Sequence, residues 1–164
     1  MHAHAGTADL ALAAALADPR QPEAGLAALD RALQDSVGHR LLTVLRYRFD
    51  EGCAERVYSS APQTFPASGR KAFADAPIQR RVAETQRPYI GRDADDIRRD
   101  FPDHEKIFAL GCASILNMPV LWRGRALGQV NLLHEAEHYT PAHLPVVQVL
   151  AQMTIPLFLA IETG

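Results

Sequence analysis

The stretch from Ser114 to Leu133 limits the fold more than any other part of the chain. Two apolar runs, Ser114–Leu121 and Leu127–Leu133, are joined by Trp122-Arg123-Gly124-Arg125, whose glycine suits a tight turn. The pattern predicts an antiparallel β-hairpin, and the remaining elements have to be compatible with a sheet built around it.

Upstream, Leu10, Leu12 and Leu16 recur at helical spacing before a break at Asp18-Pro19. Leu26, Leu29, Leu33 and Val37 then continue a narrow apolar stripe that opens at Pro22-Glu23 and stops before Gly38. From His39 the texture changes to alternation: Leu41, Thr43, Leu45, Tyr47 and Phe49 interleave with Leu42, Val44, Arg46 and Arg48. Asp50-Glu51-Gly52 turns the chain into a second strand over about 55–60, followed by a loop carrying Pro62, Pro66, Ser68 and Gly69. A helix is expected from Ala76 to Gln86, a short edge strand over 88–91, and a short helix from Asp103, capped by that side chain and ended by Gly111. Thr140-Pro141 opens a last helix with Leu144, Val147, Leu150, Met153, Leu157 and Ile161 on one face, kinked at Pro156.

With 164 residues, of which 48% are apolar and 22% charged, the chain has the material for one core and needs no disulfide or metal to staple it. A net charge of -2 offers no basic field for nucleic acid or anionic lipid, so no nucleic acid and no membrane partner are expected. Cys53 and Cys112 lack C-x-x-C spacing and read as thiols of a reducing compartment, in keeping with a cytoplasmic location. The run Leu10–Ala17 looks like a signal-peptide core, but no Lys or Arg precedes it. The C-terminal apolar stretch is interrupted too often for a membrane span.

The order of helix, two strands, loop, helix, two strands and helix resembles the GAF domain family, and the residues strengthen the match. Met118-Pro119-Val120 ends a strand, Gly124 turns the hairpin, Leu127-Gly128 leads the next strand and Tyr139-Thr140 caps the last helix. The resemblance spans residues 22–162, leaving 1–21 as an N-terminal helical extension. The segment Gly91–Cys112 resembles small stand-alone bacterial members of that family. The resemblance implies an α+β fold, PAS-like and profilin-like: an antiparallel sheet with the terminal helices on one face and a small-molecule pocket with its helices and loops on the other. It also implies a homodimer packed through the terminal helices. Fold alone does not transfer function.

Period-two geometry places Ile115, Asn117 and Pro119 on one face of their strand, and Asn131 and Leu133 on one face of the next. By the resemblance these faces line the pocket, with Tyr58, Ile78, Val82, Phe108 and Cys112 completing the expected ligand-binding set. A buried amide without a partner costs roughly 1–3 kcal/mol, so Asn117 and Asn131 are each expected to bond a ligand, a water or local backbone. The charged run from Arg92 to Asp100 reads as a solvated face. His134, His138 and His143, with Glu135 and Glu137, have spacing that would suit zinc on one helical face, but Thr140-Pro141 breaks such a helix and no metal site is assigned.

The expected function is that of a sensory or regulatory module binding an unidentified small organic ligand and acting as a dimer, with a separate signalling effector as a further partner. One alternative is a ligand-independent interaction module with a collapsed pocket. The other is a thiol-dependent enzyme centred on Cys112, of the methionine sulfoxide reductase type. Against the latter, Ile115, Asn131 and Leu133 stand where that activity aligns acids. No cysteine adjoins a histidine as in bilin-attaching relatives, and the asparagine-lysine-phenylalanine-aspartate-glutamate signature of cyclic-nucleotide relatives is missing. No cofactor and no catalytic set follow from these residues.

Overall fold

The structure is a computed structural model that describes residues 3–163. Two helices, α1 (Ala3–Ala15) and α2 (Glu23–Ser36), precede strands β1 (Leu41–Arg48) and β2 (Cys53–Ser59). A short strand β3 (Arg70–Ala72), helix α3 (Pro77–Thr85) and edge strand β4 (Tyr89–Gly91) follow. Helices α4 (Ala94–Asp100) and α5 (His104–Ala109) then lead into the hairpin of β5 (Ser114–Trp122) and β6 (Arg125–His134). The chain closes with α6 (Leu144–Gln152) and α7 (Ile155–Thr163).

The strands form one antiparallel sheet in the order β3-β2-β1-β6-β5-β4, so the hairpin identified from sequence lies inside it. The result is an α+β, GAF-like architecture. On one face Leu42, Val44, Leu116, Met118, Val130 and Leu132 meet α1, α2, α6 and α7 through Leu12, Leu26, Leu29, Leu33, Val147, Leu150, Leu157 and Phe158. Gly128 is needed there: a Cβ would stand 2.1 Å from the Leu45 carbonyl oxygen and 2.4 Å from Phe158, so the ring packs directly onto the strand. Gly38 takes a left-handed φ of 77° and ends α2 by donating its N–H to Leu33 O at 3.0 Å.

Some expectations are revised. The loop after β2 contains β3, and the charged run 92–100 contains α4, capped by Asp93, whose side chain accepts from the Asp96 N–H at 2.9 Å. Asp103 does not cap α5; its carboxylate lies 3.1 Å from Lys71 Nζ. Pro156 lacks the N–H that would continue a helical ladder, and the last helix breaks into α6 and α7 at an angle of 44°. Among the described residues, no single helix is long and apolar enough to cross a membrane.

Candidate small-molecule site beneath the sheet

The face opposite the terminal helices carries a second apolar cluster and a cavity of about 290 Å³. Alternation along β1 and β6 sends Leu41, Thr43 and Leu45, and Asn131 and Leu133, to this side, with Ile115 from β5. Phe65 and Gly69 close it from the loop, and Phe101 and Ile107 cover it from the α4–α5 region. Gln79 of α3 and the polar residues Arg56, Arg70, Lys71, Asp103 and Lys106 complete the lining.

A row of polar side chains crosses this face. The register aligns Thr43 with Asn131, Asn131 with Asn117 and Asn117 with Tyr89. Asn117 Nδ2 and Gln129 Nε2 both donate to Asn131 Oδ1 at 2.5 Å. Asn131 Nδ2 donates to Thr43 Oγ1 at 3.1 Å. The Tyr47 hydroxyl donates to Gln129 Oε1 at 2.5 Å, and burial pushes its ionisation well above the ordinary tyrosine value. Further along the row, the Tyr89 hydroxyl donates to Asp100, and burial raises this phenol too. The two asparagines therefore bond each other and their strand neighbours across the sheet. Asn117 Oδ1 remains buried with no partner.

Of the residues expected at the site, Ile115, Asn131 and Leu133 line the cavity. Ile78, Val82, Cys112 and Asn117 do not line it: the first three lie in the apolar cluster behind the lining, and Asn117 braces Asn131 from the next strand. Phe108 packs at the edge of that cluster, beneath the Arg98 guanidinium at 5.4 Å and beside His104. Tyr58 does not reach the cavity. A bulge opposite Val44 and Leu45 inserts Val57 as an extra residue in β2 and reverses the alternation. Tyr58 therefore points to the helical side, where its hydroxyl donates to Asp30 on α2, while Arg56 and Ala54 turn to the cavity.

The reversal matters electrostatically. Arg56 is half-buried, its Nη1 donates to Pro66 O at 2.8 Å, its guanidinium lies 5.2 Å from the Phe65 ring centroid, and its Nε is buried without a partner. Burial pulls its ionisation below the ordinary arginine value, with Asp103 opposing that shift. One oxygen of Asp103 is likewise buried and unpartnered.

Cys112 is buried and its thiol is pushed up by that burial, against a smaller lowering by Arg40, so it is held away from the reactive thiolate. Cys53 is a second buried free thiol. The His134, Glu135 and His138 ligand atoms lie within 4.8 Å of one another, but the arrangement does not fit an ion. The His134 and His138 rings stack at 3.7 Å and 6°, and imidazole lone pairs lie in the ring plane, so no point serves both. One nitrogen of each ring is also engaged: His134 Nδ1 accepts the Glu135 N–H at 2.8 Å, and His138 Nε2 donates to Val37 O at 2.7 Å.

The sequence missed the β1, β2 and β3 contributions to the site. Thr43 gave the same signal as Asn131, a polar side chain at a buried position of an apolar strand. Arg56 gave none, because its direction depends on the bulge.

The GAF domain profile matches residues 23–154. Among solved structures, the GAF domain of an Acinetobacter phosphoenolpyruvate-protein phosphotransferase superposes with a TM-score of 0.78 at 10% identity, covering 97% of this chain and 95% of that one. Residues 122–287 of a methyl-accepting chemotaxis protein give 0.73 at 15% identity, covering 96% and 99%. The free methionine-R-sulfoxide reductase of Neisseria meningitidis, in complex with its substrate, gives 0.73 at 14%, covering 97% and 88%. No curated protein matches this chain by sequence.

Proposed function

Because the chain belongs to the GAF domain family, we propose that it is a sensory or regulatory module that holds a small organic molecule in the cavity between the β1–β6 face and the α3–α5 layer. The observation that carries this reading is the cavity itself. It combines apolar walls with a few convergent polar groups, the usual composition of a small-molecule site. A chemotaxis protein among its structural neighbours supports the signalling side of the reading. The buried, unactivated state of Cys112 weighs against the thiol-enzyme alternative.

The module is further proposed to dimerise through its terminal helices. Leu10 on α1 and Val149 on α6 expose 73% and 49% of their surface, which a second copy would cover. A monomer in light scattering at micromolar concentration overturns this part.

Thermal-shift screening with a metabolite library tests the binding role, because a ligand that prefers the folded state raises the melting temperature. The expected result is a stabilising compound whose effect disappears in Ile115→Phe, which fills the cavity. A stabiliser that acts equally on Ile115→Phe places binding elsewhere and overturns the proposal.

A further inference from the structure

The charges around the cavity do not balance. Arg56, Arg70, Lys71 and Lys106 line it against a single carboxylate, Asp103. Arg70 is held by Glu51 at 2.6 Å and Glu55 at 2.9 Å, and Lys71 by Asp103 at 3.1 Å. Arg56 and Lys106 make no ion pair with a described residue.

Arg56 is moreover held in place. Phe65 lies under its guanidinium, the Pro66 carbonyl takes one N–H, and Gly69 leaves it room, since a Cβ at that position would stand 2.6 Å from Nη1. A guanidinium withdrawn from water without a carboxylate is costly, and its planar fork matches a carboxylate in two-point contact. A pre-oriented, half-buried guanidinium at a cavity, influenced by Asp103 but in contact with no carboxylate, is therefore free to take one.

We infer that the occupant is a small organic monocarboxylate with a compact apolar body, its carboxylate taken by Arg56 with Lys106 alongside, an inference that rests on the cavity being a small-molecule site. The apolar body lies against Leu41, Phe65, Ile107, Ile115 and Leu133. At about 290 Å³ the cavity stands at the lower end of the roughly 300–1,000 Å³ range of ligand sites, which favours a compact body. Asp103 in the same lining repels a second negative charge, which favours a monoanion over a phosphate monoester.

The experiment titrates the full chain with phenylacetate and 4-methylvalerate, with their neutral amides, and with phenyl phosphate, following backbone amide resonances by NMR. At least one carboxylate is expected to bind at the cavity, about tenfold or more tighter than its amide, as a charge-assisted pair requires. Arg56→Gln is expected to weaken that carboxylate by at least about tenfold while leaving amide binding unchanged. Gly69→Ala provides a second variant that keeps every charge: it displaces the guanidinium tip, a flexible group, and is expected to weaken the carboxylate without lowering the melting temperature. An amide that binds as well as its acid, a phosphate ester that binds tighter than both carboxylates, or a carboxylate indifferent to both variants overturns the inference and leaves the small-molecule site standing. If no probe binds, the inference falls, and the binding role is decided by the thermal-shift screen alone.

Discussion

On the helical side of the sheet, Leu42, Val44, Leu116, Met118, Val130 and Leu132 are closed over by four helices in one large apolar cluster. On the other side, the alternate residues of the same strands include Thr43, Asn131, Asn117 and Gln129, which bond one another beside a cavity. The first face is what a fold needs to bury apolar surface. The second carries a hydrogen-bonded polar row and a cavity, with buried unpartnered atoms at Asn117, Arg56 and Asp103, while the helical side has its own at Asp9 and Ser36. One set of strands thus makes two unlike faces, one filled and one hollow.

The largest expected effect lies on the closed face. Gly128→Ala drives a methyl group into the Leu45 carbonyl and Phe158, and chemical denaturation should show a loss of about 3 kcal/mol or more, or failure to fold. Wild-type stability in this variant would mean that α7 does not seat on β6. A sharper comparison uses adjacent residues of β6. Leu132→Ala opens a hole in a filled layer and should cost about 3 kcal/mol, whereas Leu133→Ala only enlarges an existing cavity and should cost about half as much. Equal costs would show that the second face is filled in solution.

Within the polar row the two asparagines should also differ. Asn131→Ala strips partners from Asn117, Gln129 and Thr43 together and is expected to cost about 2 kcal/mol. Asn117→Ala removes one donor along with an oxygen that has no partner, and should cost about 1 kcal/mol or less. The reverse order would place Asn117 at the centre of the network.

The smallest effect is on pH. Burial, reinforced by neighbouring His138, holds His134 and His143 below the ordinary 6.5, so the unfolded chain takes up protons before the folded one does. Their contribution is whole above the unfolded value and is lost as pH falls through the depressed folded values. Denaturation midpoints at about pH 7.5 and about pH 5.5 should show a drop that flattens in His134→Gln. An undiminished drop assigns it to other groups.

The elements of the helical face were readable because each declares itself locally. The Leu26–Leu33 stripe, the Gly38 stop, the alternation of β1 and the turn at Gly124 all follow from residues a few positions apart. The short strand β3 was not readable, because three exposed or half-exposed residues, Arg70, Lys71 and Ala72, carry no alternation and become a strand by pairing with β2. Asp103 fits a capping position in sequence, yet it serves Lys71, a residue that only folding brings near.

The site divides along the same line. Ile115, Asn131 and Leu133 were legible from period two, because each strand turns successive side chains to opposite faces whatever its neighbours are. The sequence by itself therefore determined the long strands and the helices with apolar stripes, the faces of the central strands and the family. Tertiary structure alone decided that one face is filled and the other hollow, and that the asparagines bond each other. It also decided that Arg56 reaches the cavity while Tyr58 turns away. Those outcomes depend on register, on a one-residue bulge and on charges far apart in the chain, and none of these is written in the spacing of neighbouring residues.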